Sequence, residues 1–438
     1  MDEKIIIGSG LSGPLLAILL AQENCKVTLF EKREDIRNST ISAGRSINLA
    51  LSHRGIEALR EANIYDEIKK ELIPMKGRLI HDTNGETQFQ PYSINKDEYI
   101  NSISRSRLNQ ILLNKAEESG KVKIYFKHSL SKIHADKLIF ENKSKYKINN
   151  NIVFGADGYN SIVRNYIDEK LNKNTKNQSL GHSYKELSIA PLIKGDFQLE
   201  SDVLHIWPRN KFMLIALPNT DGSFTCTLFL PTFGDVSFES LKTKSNVISF
   251  FKKYFNDIID LIEDFPFSFI KNPTGSLGSI KCENWSYDNQ FCLIGDAAHA
   301  IVPFFGQGMN AAFEDCSVLM KYYKGFSGNW DRIISKFSLD RMKDTEAISI
   351  MALENYKEMR DSVSKDKYKI RKKISDILYL NFSDYFVPKY NMVSFMSISY
   401  AEAYNRSKIQ EHILDELEED FSLKKAKELI YNRLSLIK

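Results

Sequence analysis

The sequence predicts an α/β protein, with a parallel sheet at its start, an inserted antiparallel β-sheet and a C-terminal helical region. Three observations predict it. A glycine cluster sits between an apolar strand and an apolar helix near the start. Two stretches, from Met75 to about Ile100 and from Val203 to Pro231, read as strands and turns. From roughly Asp331 onward the chain is polar with helical periodicity.

Lys4 to Ile7 reads as a short buried strand, Gly8 to Gly13 as a tight turn, Leu15 to Ala21 as an apolar helix, and Val27 to Phe30 as a second strand. This βαβ opening predicts a parallel sheet covered by helices. Pro14 fits the first helical turn, where its missing N–H has no intrahelical partner to lose. Asn84-Gly85 is a hairpin signal in the first β-rich stretch. In the second, His205-Ile206-Trp207, Phe212 to Leu217 and Phe224 to Leu230 are separated by turn residues. Asn142 to Asn151 reads as a polar turn expected to be exposed. The expected division is a discontinuous nucleotide-binding domain (1–75, 102–180, 275–335), a β-sheet substrate domain (76–101, 181–274) and the helical region (336–438).

With 438 residues and 42% apolar content, the chain has enough material for two or three lobes. Its net charge of +4 comes from 60 basic and 56 acidic side chains spread along the chain, which argues against a nucleic-acid surface. Small-molecule partners are expected. Cys25, Cys226, Cys282, Cys292 and Cys316 are widely spaced and odd in number, which suggests neither a disulfide framework nor a zinc site, and fits a reducing cytoplasm. No signal peptide is expected, because strand-like sequence begins within a few residues. No membrane anchor is expected either, since the apolar runs fall short of the roughly 20 residues that span a bilayer.

Gly8-Ser9-Gly10-Leu11-Ser12-Gly13 matches G-x-G-x-x-G between strand and helix, the Rossmann-like arrangement in which backbone can approach a pyrophosphate at a helix N-terminus. Glu31 ends the second strand 18 residues beyond Gly13, near the spacing at which an acid meets a ribose. Two further strand ends carry acids: Gly155-Ala156-Asp157-Gly158, and Gly295-Asp296 with Gly306-Gln307-Gly308-Met309-Asn310 after it. A strand-end carboxylate can bind a ribose or ribitol hydroxyl, and a glycine turn opening a helix offers N–H groups to a pyrophosphate or flavin ring. Each alone is equally well an ordinary strand-end turn. Together, in this order, they resemble the family of FAD-dependent aromatic hydroxylases.

The resemblance covers nearly the whole chain. It is carried further by Gly44 to Gly55, Leu204 to Asn210 and Gly295 to Asp315, and is strongest to members that act on an aromatic amino acid. It implies an FAD site lined by Gly8, Gly10, Ser12, Gly13, Glu31, Arg33, Ala50, Arg105, Leu130, Asp157, Asp296, Gly308, Met309 and Asn310. It implies substrate contacts from Arg78, Tyr92, Asn355 and Tyr390, with Glu358 and Met359 on the Asn355 helix face. NADPH and dioxygen are the implied co-substrates, with oxygen transferred through a flavin hydroperoxide and no side chain acting as nucleophile. The implied setting is aromatic amino-acid breakdown toward pyridine nucleotides. No second G-x-G-x-x-G is present, so NADPH is expected to bind without a nicotinamide domain of its own. His299 is expected to be structural.

The residues suit such a substrate. Arg78 can make two charge-assisted bonds to one carboxylate, and Tyr92 and Tyr390 can add hydroxyl donors. Asn355, Glu358 and Met359 share a helix face by their i, i+3, i+4 spacing. Phe304 and Phe305 can wall a ring or pack in the core. One difficulty concerns the hairpin. A two-residue Asn84-Gly85 turn pairs position 78 with 91 and points Tyr92 away from Arg78. The resemblance therefore requires a connection one residue longer, expected to pair 78 with 92. Two alternatives stay open: a hydroxylase of another carboxylated aromatic such as a benzoate, and a non-catalytic flavin-binding or electron-transfer protein.

Overall fold

The computed structural model describes residues 3–38, 48–361 and 366–437. The expected signature at Gly44 to Ile47 therefore lies outside the described residues. A six-stranded sheet forms the first layer, in the order Ser286–Tyr287, Phe291–Leu293, Ile152–Gly155, Glu3–Ile7, Lys26–Phe30, Val122–Tyr125. Its strands are parallel except for the short antiparallel edge Ser286–Tyr287. Glu3–Ile7 lies at its interior because Ile5, Ile6 and Ile7 have no polar face and are buried on both sides. The helix Ser12–Gln22 is buried from Gly13 to Ala21. It is apolar all round because it is packed by the helices Arg105–Glu118 and Gly308–Gly325 as well as by the sheet.

The two β-rich stretches join in one seven-stranded sheet, ordered Thr274–Lys281, Lys176–Ile189, Phe224–Pro231, Phe212–Pro218, Val203–Arg209, Gly77–His81, Thr87–Pro91. It is not wholly antiparallel as expected. Gly77–His81 runs parallel to Val203–Arg209, with Arg78 beside Leu204. Parallel neighbours need a long crossover, here everything between the two strands, and no local pattern announces such a pairing.

One face of this sheet buries Trp207, Leu214 and Leu228 against Phe250, Phe251 and Phe255, on and just after the helix Lys244–Tyr254. The other face buries Ile80, Ile206, Met213 and Phe229 against Phe304, Phe305 and the long helix Trp330–Asp361. Side chains alternate along a strand, so Arg78, two residues from Ile80, projects toward that second face. The C-terminal helices Asp366–Phe382, Lys389–Phe395 and Tyr400–Glu419 contribute to the wall around it, and Leu423–Arg433 packs on Tyr400–Glu419. Among the described residues, no helix is long and apolar enough to cross a membrane.

Candidate active site

The glycine turn shows why each glycine is needed. Gly8 has φ +103°, and a methyl group there would collide with the Ala156 carbonyl. A methyl on Gly13 would strike the Gly8 carbonyl, which forces close packing of turn and helix. Gly10 has nothing within 4 Å of a would-be Cβ, so its side of the turn is open to a ligand. Ser12 begins the helix, half-buried beside Gly295. Asn109, which the sequence did not single out, holds the turn through Nδ2 bonds to the carbonyls of Ser9 (3.0 Å) and Gly10. It stands one helical turn beyond Arg105, which is exposed at the start of Arg105–Glu118.

Glu31 is buried at its strand end. Its Oε2 accepts from the Ser9 N–H (2.8 Å) and hydroxyl (2.9 Å), and its Oε1 from the Arg33 N–H (2.9 Å) and Nε (2.7 Å). Burial works against the charge, but the bonds and charge of Arg33 and the Ser9 N–H outweigh it and hold the carboxyl at about 2. The Glu31 carbonyl accepts from the His128 N–H (2.8 Å), which brings the strand Leu130–His134, opened by buried Leu130, to the same end of the sheet.

The other two strand-end acids differ from each other. Asp157 accepts from the Ser161 hydroxyl at 2.5 Å and from the N–H groups of Ile162 (2.7 Å) and Val163 (3.3 Å), so both oxygens cap the helix Ile162–Leu171. Asp296 is exposed, with no hydrogen bond or ion pair among the described residues, and can receive a ligand hydroxyl. Its turn is pinned from behind: Asp315 accepts from the Gly295 N–H (3.0 Å) and His299 Nε2 (2.5 Å), and Arg341 Nε binds its other oxygen (2.8 Å). His299 is thus a buried structural histidine stacked on Trp285. Gly308 opens Gly308–Gly325, with Met309 partly buried on its first turn. Asn310 donates to the Ala50 carbonyl (2.9 Å) and accepts from the Ser52 N–H (2.9 Å), which fixes Ala50 beside the turn. The open face at Gly10, the bare carboxylate of Asp296 and the helix N-terminus at Gly308 fit a dinucleotide carrying a flavin.

Phe305, just before this turn, borders a second space, a cavity of about 220 Å³ that Arg78, Gln90, Tyr92, Asn355, Glu358, Tyr368 and Tyr390 also line. Arg78 is buried, 5.1 Å from the Tyr390 ring and 5.6 Å from the Tyr92 ring, with no ion pair among the described residues. Burial disfavours its charge, but Tyr368, Tyr390, Tyr92 and Glu358 keep it firmly cationic. Burial pushes the Tyr92 and Tyr390 phenols up, so both remain donors. The Tyr92 hydroxyl has no hydrogen-bond partner among the described residues. A buried cation that makes no ion pair among the described residues is costly unless an anion completes it.

Asn355 donates to the Phe304 carbonyl (2.6 Å) and touches Met359 Sδ (3.3 Å). Met359 is buried in the same apolar cluster as Phe304 and Phe305, and does not line the cavity. Tyr368 and Gln90 were not foreseen. Tyr368 donates to Glu358 Oε1 (3.0 Å) from the helix Asp366–Phe382, and Gln90 faces Arg78 across the hairpin.

That pairing corrects the expected register. Arg78 lies opposite Gln90, not Tyr92 or Pro91. The loop is indeed one residue longer than Asn84-Gly85, but the addition is Thr83. Asp82 N–H bonds to the Glu86 carbonyl (3.0 Å), while its Oδ1 accepts from the N–H groups of Asn84 (2.8 Å) and Glu86 (2.9 Å). Tyr92 N–H then pairs with the Lys76 carbonyl (3.2 Å), two residues from Arg78 and on the same face.

Comparison with known proteins agrees with this geometry. The FAD binding domain family matches residues 3–324. A kynurenine 3-monooxygenase of Myxococcus xanthus is 42% identical over 99% of this chain and 96% of its own length. That of Cytophaga hutchinsonii is 44% identical over 95% and 94%. That of Sus scrofa is 41% identical over 94% and 87%. A 2-methyl-3-hydroxypyridine-5-carboxylic acid oxygenase superposes with a TM-score of 0.67 at 17% identity, over 84% of this chain and 95% of its own, a likeness of fold. Both the flavin cleft and the matched length lead to one conclusion: the chain belongs to the kynurenine 3-monooxygenase family of FAD-binding proteins.

Proposed function

We propose that this protein hydroxylates L-kynurenine at ring position 3, consuming NADPH, a proton and dioxygen and releasing 3-hydroxykynurenine, NADP⁺ and water. The observation that carries this reading is Arg78, a buried cation without an ion pair among the described residues, in a cavity bordered by the residue that precedes the flavin turn. The relatives named above are kynurenine 3-monooxygenases, which supports the choice of substrate.

FAD, held by the glycine turn, Asp296 and the Gly308 helix, supplies the hydride acceptance and oxygen activation that no side chain provides. The chain's own residues bind and orient. Arg78 grips the substrate carboxylate with Tyr92 and Tyr390 as neutral donors. Glu358, lining the same cavity, offers an acceptor for the substrate ammonium, which favours an amino acid over a simple benzoate. Phe305 and Tyr390, whose rings lie 5.4 Å apart and nearly parallel, form an apolar wall that excludes water and orients the anilinic ring. The remaining residues implied for FAD contact, Arg33, Ala50, Arg105, Leu130 and Met309, belong to this proposal. Asp157 would act indirectly, by capping the helix behind the glycine turn. A cytoplasmic setting is part of the reading, supported by five buried free cysteines.

The test is product identification after incubation with kynurenine, NADPH and oxygen. Formation of 3-hydroxykynurenine with kynurenine-stimulated NADPH oxidation is expected. Stimulation by a benzoate but not by kynurenine would transfer the assignment to another hydroxylase, and bound flavin with no stimulation by either would defeat a catalytic role.

A further inference from the structure

The corner formed by the strand Asn48–Leu51 and the helix His53–Glu61 touches both sites. On one side Asn310, from the first turn of the Gly308 helix, grips the Ala50 carbonyl and the Ser52 N–H. On the other side Arg54 reaches the helix that carries Tyr390. Arg54 is 3% exposed. Its Nε donates to the Val393 carbonyl (3.2 Å) in the last turn of Lys389–Phe395, and its Nη2 donates to the Ile398 carbonyl just beyond. Its guanidinium lies 3.9 Å from the Tyr400 ring. His53 Nε2 and the Ser397 hydroxyl add a tie of 2.8 Å between the same two segments.

The remaining Arg54 nitrogen, Nη1, binds Glu314. Arg54 shares Glu314 with Arg341, whose Nη1 holds it at 2.7 Å, but charge pairing occupies only one of its three nitrogens, since Nε and Nη2 both donate to neutral carbonyls. What Arg54 alone supplies is a fork spanning one carbonyl in the last turn of the Tyr390 helix and one in the link that follows it. The last carbonyls of a helix and those of the link after it lack intrahelical partners, and a planar guanidinium fixes two such groups at once where an ammonium fixes one point.

We propose that Arg54 is a positioning residue for the hydroxylation: it sets the spacing between the flavin-binding corner and the Tyr390 helix, and with it the distance of the substrate ring from the flavin. The proposal rests on the hydroxylase reading. When the ring is misplaced, the reduced cofactor still meets oxygen, and NADPH, a proton and dioxygen yield NADP⁺ and hydrogen peroxide in place of hydroxylated product and water. A displacement of about 1 Å is enough to cost on the order of a hundredfold in a positioned reaction.

The experiment uses the FAD-loaded enzyme with saturating kynurenine, and measures peroxide formed per NADPH consumed. Arg54→Lys keeps the positive charge beside Glu314 but loses the fork. We expect its peroxide fraction to rise severalfold while flavin affinity and melting temperature stay near those of the parent. In a cycle with Tyr390→Phe, the two effects on coupling should fall short of multiplying, because both act on one helix. Parental coupling in Arg54→Lys, multiplicative effects, or loss of coupling only in step with loss of flavin would each overturn the proposal. Should Arg54→Lys fail to fold, Arg54→Gln, which replaces the fork with a single amide donor, is measured in the same way, and parental coupling in that variant would overturn the proposal equally. An unmodified enzyme that shows no kynurenine-stimulated NADPH oxidation would defeat the functional reading itself, a result distinct from all of these.

Discussion

Arg78 and Glu31 are both buried charges, and their different surroundings give them opposite expected behaviour. Arg78 makes no ion pair among the described residues, so its charge is available to a ligand. Arg78→Met should raise the kynurenine dissociation constant about a hundredfold, as expected when one partner of a buried charge pair is truncated, with flavin still bound. A substrate titration of the flavin spectrum measures this, and unchanged affinity would remove the carboxylate assignment. Glu31 is already engaged by Ser9 and Arg33 and held at about 2. A carboxyl lowered in the folded state stabilises above its ordinary value of 4.5 and loses that contribution as pH falls toward 2. At about 1.4 kcal/mol per pH unit the contribution is on the order of 3 kcal/mol. Glu31→Gln should therefore flatten the acid limb of the stability curve between those values, as followed by denaturation at successive pH, and an unchanged limb would show that other carboxyls govern it. At this scale the sequence revealed residue types better than duties. Asp157 and Asp296 are alike as strand-end acids, yet one caps a helix through Ser161 and neighbouring N–H groups and the other stands bare. Only the path of the chain after each acid separates them.

The hairpin Gly77–His81 and Thr87–Pro91 shows how one loop residue decides which side chains meet. With Thr83 in the loop, Tyr92 shares the face of Arg78. Deleting Thr83 leaves the two-residue Asn84-Gly85 turn, which twists well but shifts the second strand by one position and points Tyr92 away. Weaker kynurenine binding with normal flavin content is expected of that deletion. Parental affinity would mean that Tyr92 does not contact the substrate. The strands ending in Gly155 and Leu293, and the strand–turn–helix opening, could be read in advance because continuous apolar runs closed by glycine describe buried parallel strands. The hairpin register could not, since Asp82 chooses it through two bonds to loop N–H groups that any Asn-Gly pair would leave open. Nor could the parallel junction of Gly77–His81 with Val203–Arg209, which depends on partners far apart in sequence.

For the molecule as a whole, the flavin should act as part of the fold, because on the proposed site it would span the glycine turn, the Asp296 turn and the Gly308 helix. A ligand at a hundred times its dissociation constant adds about 2.7 kcal/mol. In a chain of this size that corresponds to a melting point roughly 3 °C higher with FAD than after its removal. Calorimetry of both forms checks this, and equal melting points would show that the cofactor bridges nothing. The sequence indicated the α/β layer, the inserted sheet and the terminal helices. It did not show that Arg341 and Arg54 tie the terminal helices to the flavin side, because such contacts leave no periodic trace. The strand order of the first sheet also decides how late in synthesis the cleft can be completed. Phe291–Leu293 enters that sheet beside Ile152–Gly155, and its Gly295–Asp296 corner completes the cleft that Gly8 begins. A nascent chain emerging from the ribosome therefore displays its glycine turn early but cannot retain a flavin until nearly three quarters of its length has been translated. Premature termination anywhere before that point leaves an exposed, colourless fragment for proteases to clear.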